Sequence, residues 1–237
     1  STAFLLTVIH FMRAEEKNGL FCKSYKERRC IFIFGIGGNG TKPHLTIGIM
    51  GCCPGAGVTH LAIALANLCG SKLGAKTACI EFHGRDELRF LMTEDKLPFR
   101  QAENNCRSYF RIYDVDYYPN TSAKELPCLF NQGYRYLILD LGSTGEADLS
   151  ELLRCDRKIV IGNPAPWKMD KFRKTLTQIT QKTASGDGFL YLMEMGKPKT
   201  LRELSGKYHI ILRSVPFIQN PFRIEKEIFS ILQELLE

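Results

Sequence analysis

From Leu45 onward the chain alternates between two hydrophobic patterns. Short, nearly continuous apolar runs recur: LTIGIM, AKTACIEF, YRYLILDL, RKIVIG, GFLYLME and YHIILRSV. Such runs predict strands buried on both faces. Between them lie segments whose apolar positions repeat every three or four residues, which predicts helices. The clearest spans Thr59–Leu73, with Gly74 placed to end it in the left-handed conformation. Others fall near DELRFLM, EADLSELL, WKMDKFRKTLTQITQKT, KTLRELSG and RIEKEIFSILQELL, with a short one in SAKELPCLFN that Pro127 breaks. CRSYFRIYDV reads as one further strand. This alternation predicts a three-layer α/β domain, a mostly parallel sheet with helices on both faces.

Residues 1–44 break the rhythm. They hold seven basic and three acidic residues and one apolar stretch, AFLLTVIHFM, that is too short for a membrane span and lacks the flanks of a signal peptide. Gly35, Gly37 and Gly40 match G-x-G-x-x-G, but Pro43 and a β-rich run follow where the dinucleotide fingerprint needs a helix. They read as a glycine-rich turn between strands. The expected organisation is an N-terminal extension over 1–44, either a β-hairpin added to the sheet or the remnant of a preceding domain. A single domain then covers 45–237.

The stretch IGIMGCCPGAGVTHLAIALANL, Ile47 to Leu68, runs strand, glycine-bearing loop, helix. That is how a phosphate-binding loop is built. In G-x-x-x-x-G-K-[ST] the glycines let backbone N–H groups curl around phosphate oxygens, the lysine neutralises charge, and the Ser/Thr hydroxyl holds Mg²⁺. With GAKTACIEF behind it, this order resembles the MinD/ParA family of deviant Walker-A ATPases, whose loop reads roughly G-K-G-G-x-G-K-[ST]. The resemblance continues through FNQGYRYLILDLGS, similar to the family's Walker-B strand, then LLRCDRKIVIGNPAPWKMDKFRK, and RSVPFIQNPF. It covers about residues 45–237 and implies a P-loop NTPase-like fold.

The resemblance places Gly55, Ala56, Gly57, Val58, Thr59 and His60 around a nucleotide. It puts Thr59 and Asp140 beside Mg²⁺, and Glu81 and His83 at the two switch aspartates. ATP or ADP with Mg²⁺ is the cofactor it implies. The departures are large. Val58 stands at the loop lysine, Cys53 at the family's extra signature lysine, and Cys52 and Pro54 replace two glycines. Proline also removes an N–H donor. Lys42 and Lys168 are candidates to supply the missing charge from elsewhere. Three readings stay open: an ATPase with borrowed cations, nucleotide binding without efficient turnover, and an empty loop joining strand to helix. The leading expectation is a scaffold or positioning protein with a degenerate Walker A, with protein partners and pairing of two copies as a homodimer among the expectations. Pilus-localisation proteins of the TadZ/CpaE kind are a comparison within that superfamily. The alternatives are a genuine partitioning or pilus-localising ATPase and a DNA-binding partition protein.

Charge and cysteine content adjust this picture little. The net charge of +7 permits an anionic partner without demanding one. Arg154–Lys182 holds eight basic and two acidic residues, and Lys168, Lys171, Arg173 and Lys174 would form either a DNA-facing patch or a solvated helix face. The last helix carries Arg223 and Lys226 against four glutamates, the wrong balance for an anionic membrane, so core packing is expected. Nine cysteines in no framework point to reduced thiols and a cytoplasmic location. Cys52, Cys53, His60 and His83 fit no common metal spacing, and no nucleophilic triad is visible.

Overall fold

The computed structural model describes residues 44–95, 98–100, 107–145, 149–183 and 188–236. The expectations for residues 1–43, including Gly35, Gly37, Gly40 and Lys42, fall outside them.

The strands are β1 Leu45–Gly51, β2 Thr77–Glu81, β3 Phe110–Ile112, β4 Val115–Tyr118, β5 Tyr136–Ser143, β6 Arg157–Gly162, β7 Phe189–Glu194 and β8 Leu212–Val215. The helices are α1 Val58–Asn67, α2 Glu87–Asp95, α3 Leu126–Phe130, α4 Leu149–Arg154, α5 Met169–Lys182, α6 Pro198–Tyr208 and α7 Lys226–Gln233. The strands form one sheet in the order β3-β4-β2-β5-β1-β6-β7-β8. Every pairing is parallel except β3 with β4. The chain leaves β1 towards β2 on one side and later passes it to reach β6 on the other. Open α/β sheets take their ligands at the carboxyl ends of strands beside such a reversal.

Period-two alternation sorts the strand side chains onto two faces. Ile47, Ile49, Cys79, Ile138, Ile159 and Ile161 share one buried cluster with α1, and with Leu232, Leu235 and Leu236 at and beyond the end of α7. Met50, Ala78, Ile80, Leu139, Val160 and Met193 share the other with α3, α4, α5 and α6. This is the expected three-layer arrangement. The apolar side of α7 is thereby spent on the core. No helix among the described residues is long and apolar enough to cross a membrane.

Several local readings change. The helix read as Thr59–Leu73 is α-helical only through Asn67; Leu68–Lys72 widens into a π-turn, with Leu73 N donating to Leu68 O at 3.0 Å. CRSYFRIYDV gives β3, a turn and the start of β4, because Tyr113 takes a positive φ of 51° and reverses the chain. Pro127 lies in the first turn of α3 and so opens that helix, where its missing N–H costs nothing. YHIILRSV yields only Leu212–Val215 as strand, since α6 runs on to Tyr208 and His209 ends it at φ 52°. Cys52, Cys53, Cys69, Cys79 and Cys155 are buried free thiols, whereas Cys128 is disulfide-bonded, against the all-thiol expectation.

The edge-on contact between β1 and β6 is secured by one carboxylate. Asp156 accepts from Thr46 N at 2.8 Å and Thr46 Oγ1 at 2.7 Å. Burial works against its charge, but these two donors outweigh it and hold the carboxyl below the usual aspartate value. Asp156 is exposed, so screening trims its worth. Asp156→Ala is expected to cost about 1 kcal/mol at neutral pH. A depressed folded pKa means the contribution is full above the unfolded value of about 3.9 and is lost as pH falls through the folded one. Urea melts of both proteins should therefore differ at neutral pH and converge in acid; a gap that persists or widens in acid would show that the charge is not its source.

Candidate functional site

The loop leaving β1 is curled by two glycines in the left-handed region, Gly55 at φ 68° and Gly57 at φ 86°. Gly57 caps α1, a position that a side chain would strain. Cys52 N donates to Ile161 O at 2.9 Å, which ties the loop to β6. Thr144 ties it to β5: its N donates to Gly51 O at 2.8 Å, and its hydroxyl donates to Cys52 O at 2.8 Å. The loop is thus a fixed cradle opening at the start of a ten-residue helix.

Val58 and Cys53, the two positions that the family resemblance aligns with lysines, are buried in the core. Val58 is 7% exposed and Cys53 2%, and both sit in the cluster packed under α1. Val58 Cγ2 lies 2.8 Å from where a methyl on Gly51 would be, so it is pressed against the end of β1. Cys52 faces the opposite cluster, and burial pushes its thiol up to about 12. The adjacent cysteines are therefore divided between two cores.

A lysine does reach the loop from a distance. Lys168 Nζ lies 3.5 Å from Pro54 O and 3.5 Å from Gly55 O. It rides on a short 3₁₀ turn, Pro166–Lys168, between β6 and α5. The other lysine considered, Lys42, falls outside the described residues.

Below the loop lies a polar chain, buried at Glu81 and Asp140 and open to solvent at Glu87. Thr59 Oγ1 donates to Glu87 Oε2 at 3.0 Å, and Glu87 N donates to Glu81 Oε1 at 2.5 Å. Asn120 N donates to Glu81 Oε2 at 3.0 Å, and Gly142 N to Asp140 Oδ1 at 3.0 Å. Glu81 and Asp140 are directly paired in the β2–β5 register. His83 stands between them, Nε2 3.5 Å from Glu81 Oε1 and 3.5 Å from Asp140 Oδ2. All three side chains are at most 1% exposed. Among the described residues, His83 Nε2 and Asp140 Oδ2 have no hydrogen-bond partner. Burial raises the Glu81 carboxyl above its ordinary range, despite the amides of Asn120 and Glu87. Burial alone would lower His83, but Asp140, then Glu81 and Glu87, raise it above its ordinary value.

Sequence reasoning named Glu81, His83, Thr59 and Asp140, and the fold brings them together. It missed Glu87, Thr144 and Gly142, whose roles arise only from packing. His60 is not part of this group: its ring Nε2 lies 2.6 Å from Ile218 O, towards the segment after β8. Of the basic residues, Lys168 points to the loop, Arg173 pairs with Asp170 at 2.7 Å, and Lys171 and Lys174 are exposed. Among the described residues no group of three or more His, Cys, Asp or Glu side chains is arranged to hold a metal ion.

No protein-family model and no curated protein matches the chain. Solved structures do. A plasmid partition protein of Borrelia burgdorferi B31 bound to AMPPNP superposes with a TM-score of 0.60 at 14% identity, over 81% of this chain and 97% of that one. The cobyrinic acid a,c-diamide synthase of Mycobacterium smegmatis, with bound ADP and magnesium, gives 0.54 at 12%, over 81% and 92%. The MinD cell division protein of Aquifex aeolicus gives 0.53 at 14%, over 81% and 94%. The chain shares the fold of MinD/ParA-type P-loop proteins.

Proposed function

We propose that this protein binds a nucleotide, ATP or ADP, at the loop after β1 without turning it over efficiently, and serves as a scaffold or positioning protein. The observation that carries this reading is the division of the loop. Two left-handed glycines and a helix start support a phosphate cradle, while Val58 and Cys53, which the resemblance aligns with lysines, are packed into the core. Phosphoryl transfer is catalysed mainly by positioning and charge stabilisation. Removing one such donor typically slows turnover by about 10²–10³, and two are gone here. Amides and a helix start can still hold an anion.

Calorimetric titration of the full chain with ATP and with ADP, beside a phosphate-release assay, tests this. The expected result is saturable binding with a Kd below about 1 mM and phosphate release at the buffer rate. No saturable binding would mean a loop that only connects strand to helix. Release that disappears in Asp140→Ala would mean a genuine ATPase.

A further inference from the structure

The fold's relatives include an ADP- and magnesium-bound enzyme, so whether this chain's own residues fit Mg²⁺ can be asked of its geometry. Mg²⁺ demands a near-octahedral oxygen shell at about 2.0–2.1 Å. Here the carboxylate oxygens that would contribute are held by backbone amides or face the His83 ring. The Thr59 hydroxyl donates to Glu87, and both Glu81 oxygens accept backbone N–H groups. Asp140 uses one oxygen on Gly142 N, and the other, which has no hydrogen-bond partner, lies 3.5 Å from the His83 ring nitrogen. The imidazole fills the space between the two carboxylates. It has no room to withdraw towards β5, since a methyl on Gly142 would lie 2.6 Å from His83 Cβ. With the ring between them, Glu81 and Asp140 do not present a shared oxygen shell to a metal.

A polyphosphate at the loop still needs compensating charge, and Lys168 is placed to give it. Its Nζ lies 3.7 Å from where a Gly55 side chain would begin, at the open rim. The segment that carries it is braced: Lys168 N donates to Ala165 O at 2.8 Å, and Ala165 N to Asn163 Oδ1 at 3.0 Å. Asn163 Nδ2 in turn donates to Glu194 Oε2 at 2.8 Å. Pro164 and Pro166 limit its backbone further. The ammonium itself meets only two carbonyls at the limit of hydrogen bonding, so it can exchange them for phosphate oxygens at little cost.

We infer that the loop binds its nucleoside polyphosphate without a divalent cation, with Lys168 as the charge over the phosphates and the His83 ring standing where a metal would be needed. This rests on the nucleotide-binding reading above.

The test is ATP titration of the full chain by calorimetry, once with excess EDTA and once with Mg²⁺. Wild-type affinity in the two buffers is expected to agree within about threefold. Lys168→Ala should weaken binding at least about tenfold in EDTA, with Lys168→Arg retaining most of it and Lys171→Ala unchanged. His83→Asp, which removes the ring and adds an oxygen ligand, should make binding depend on Mg²⁺. Binding by the wild type only when Mg²⁺ is present overturns the inference and leaves the nucleotide reading intact. So does wild-type affinity in Lys168→Ala. Failure to bind in either buffer removes the nucleotide reading, and the inference with it.

Discussion

Phe172→Ala is expected to destabilise the protein by about 3–5 kcal/mol, the usual cost of emptying a buried aromatic site. At this chain length that corresponds to a fall in Tm on the order of 10 °C. Phe172 is fully buried, and with Leu176 and Ile179 it forms the apolar stripe by which α5 is fastened to the sheet. The cluster it joins includes Val160 of β6 and Met193 of β7. No other ring on α5 can fill the space. The remaining faces of the helix are polar, so collapse around the cavity would have to draw exposed side chains inward. Equilibrium urea unfolding measures the loss; a cost under about 1 kcal/mol would mean that the site closes by moving the helix. The effect also bears on the loop, because Lys168 immediately precedes α5. A helix loosened from the sheet loosens the lysine, so if the loop binds ATP as proposed, its affinity should fall along with stability.

Gly142→Ala is expected to cost about 2–5 kcal/mol, although it adds one methyl group to a strand. Two causes add. Gly142 holds a φ of 70°, where a side chain costs about 1–2 kcal/mol. The new methyl would also lie 2.6 Å from His83 Cβ and 2.9 Å from its Cγ, an overpacking of about 1–3 kcal/mol. His83 cannot yield cheaply, because the carboxylates of Glu81 and Asp140 bound its ring. The check is a shift of the urea midpoint at unchanged slope, which identifies a stability change without a change of unfolded state. Wild-type stability in this variant would show that the ring moves aside freely and does not keep a metal out by its bulk.

The layered fold was legible because its central strands are buried on both faces and so write themselves as unbroken apolar runs. β1, β5 and β6 all read this way. The loop was legible because glycine, proline and threonine punctuate it at fixed offsets. What stayed hidden depends on distant residues. Lys168 lies 113 positions from Gly55, and nothing in its own surroundings distinguishes it from Lys171 or Lys174. His83 could be aligned with a switch position, but its place between two carboxylates follows from the β2–β5 register. Val58 read as a missing lysine; only packing shows that its side chain has joined the core. The hairpin and the π-turn were missed for another reason. Both turn on backbone conformations, at Tyr113 and around Gly70, for which these residues carry no strong local signal.

The strand order also sets a timetable for biosynthesis. β1 pairs with β5 and β6 and never with β2, so its two partners begin 91 and 112 residues after it. A ribosome releasing the chain from its N-terminal side exposes β1, α1 and β2 well before β5 exists to join them. During that interval a strand buried along almost its whole length has both hydrogen-bonding edges open, the condition in which parallel sheets are slow to form and prone to associate. The loop after β1 therefore takes its shape late, when Ile161 of β6 finally receives the Cys52 amide. Whatever this loop holds, it cannot hold it before β6 has been made.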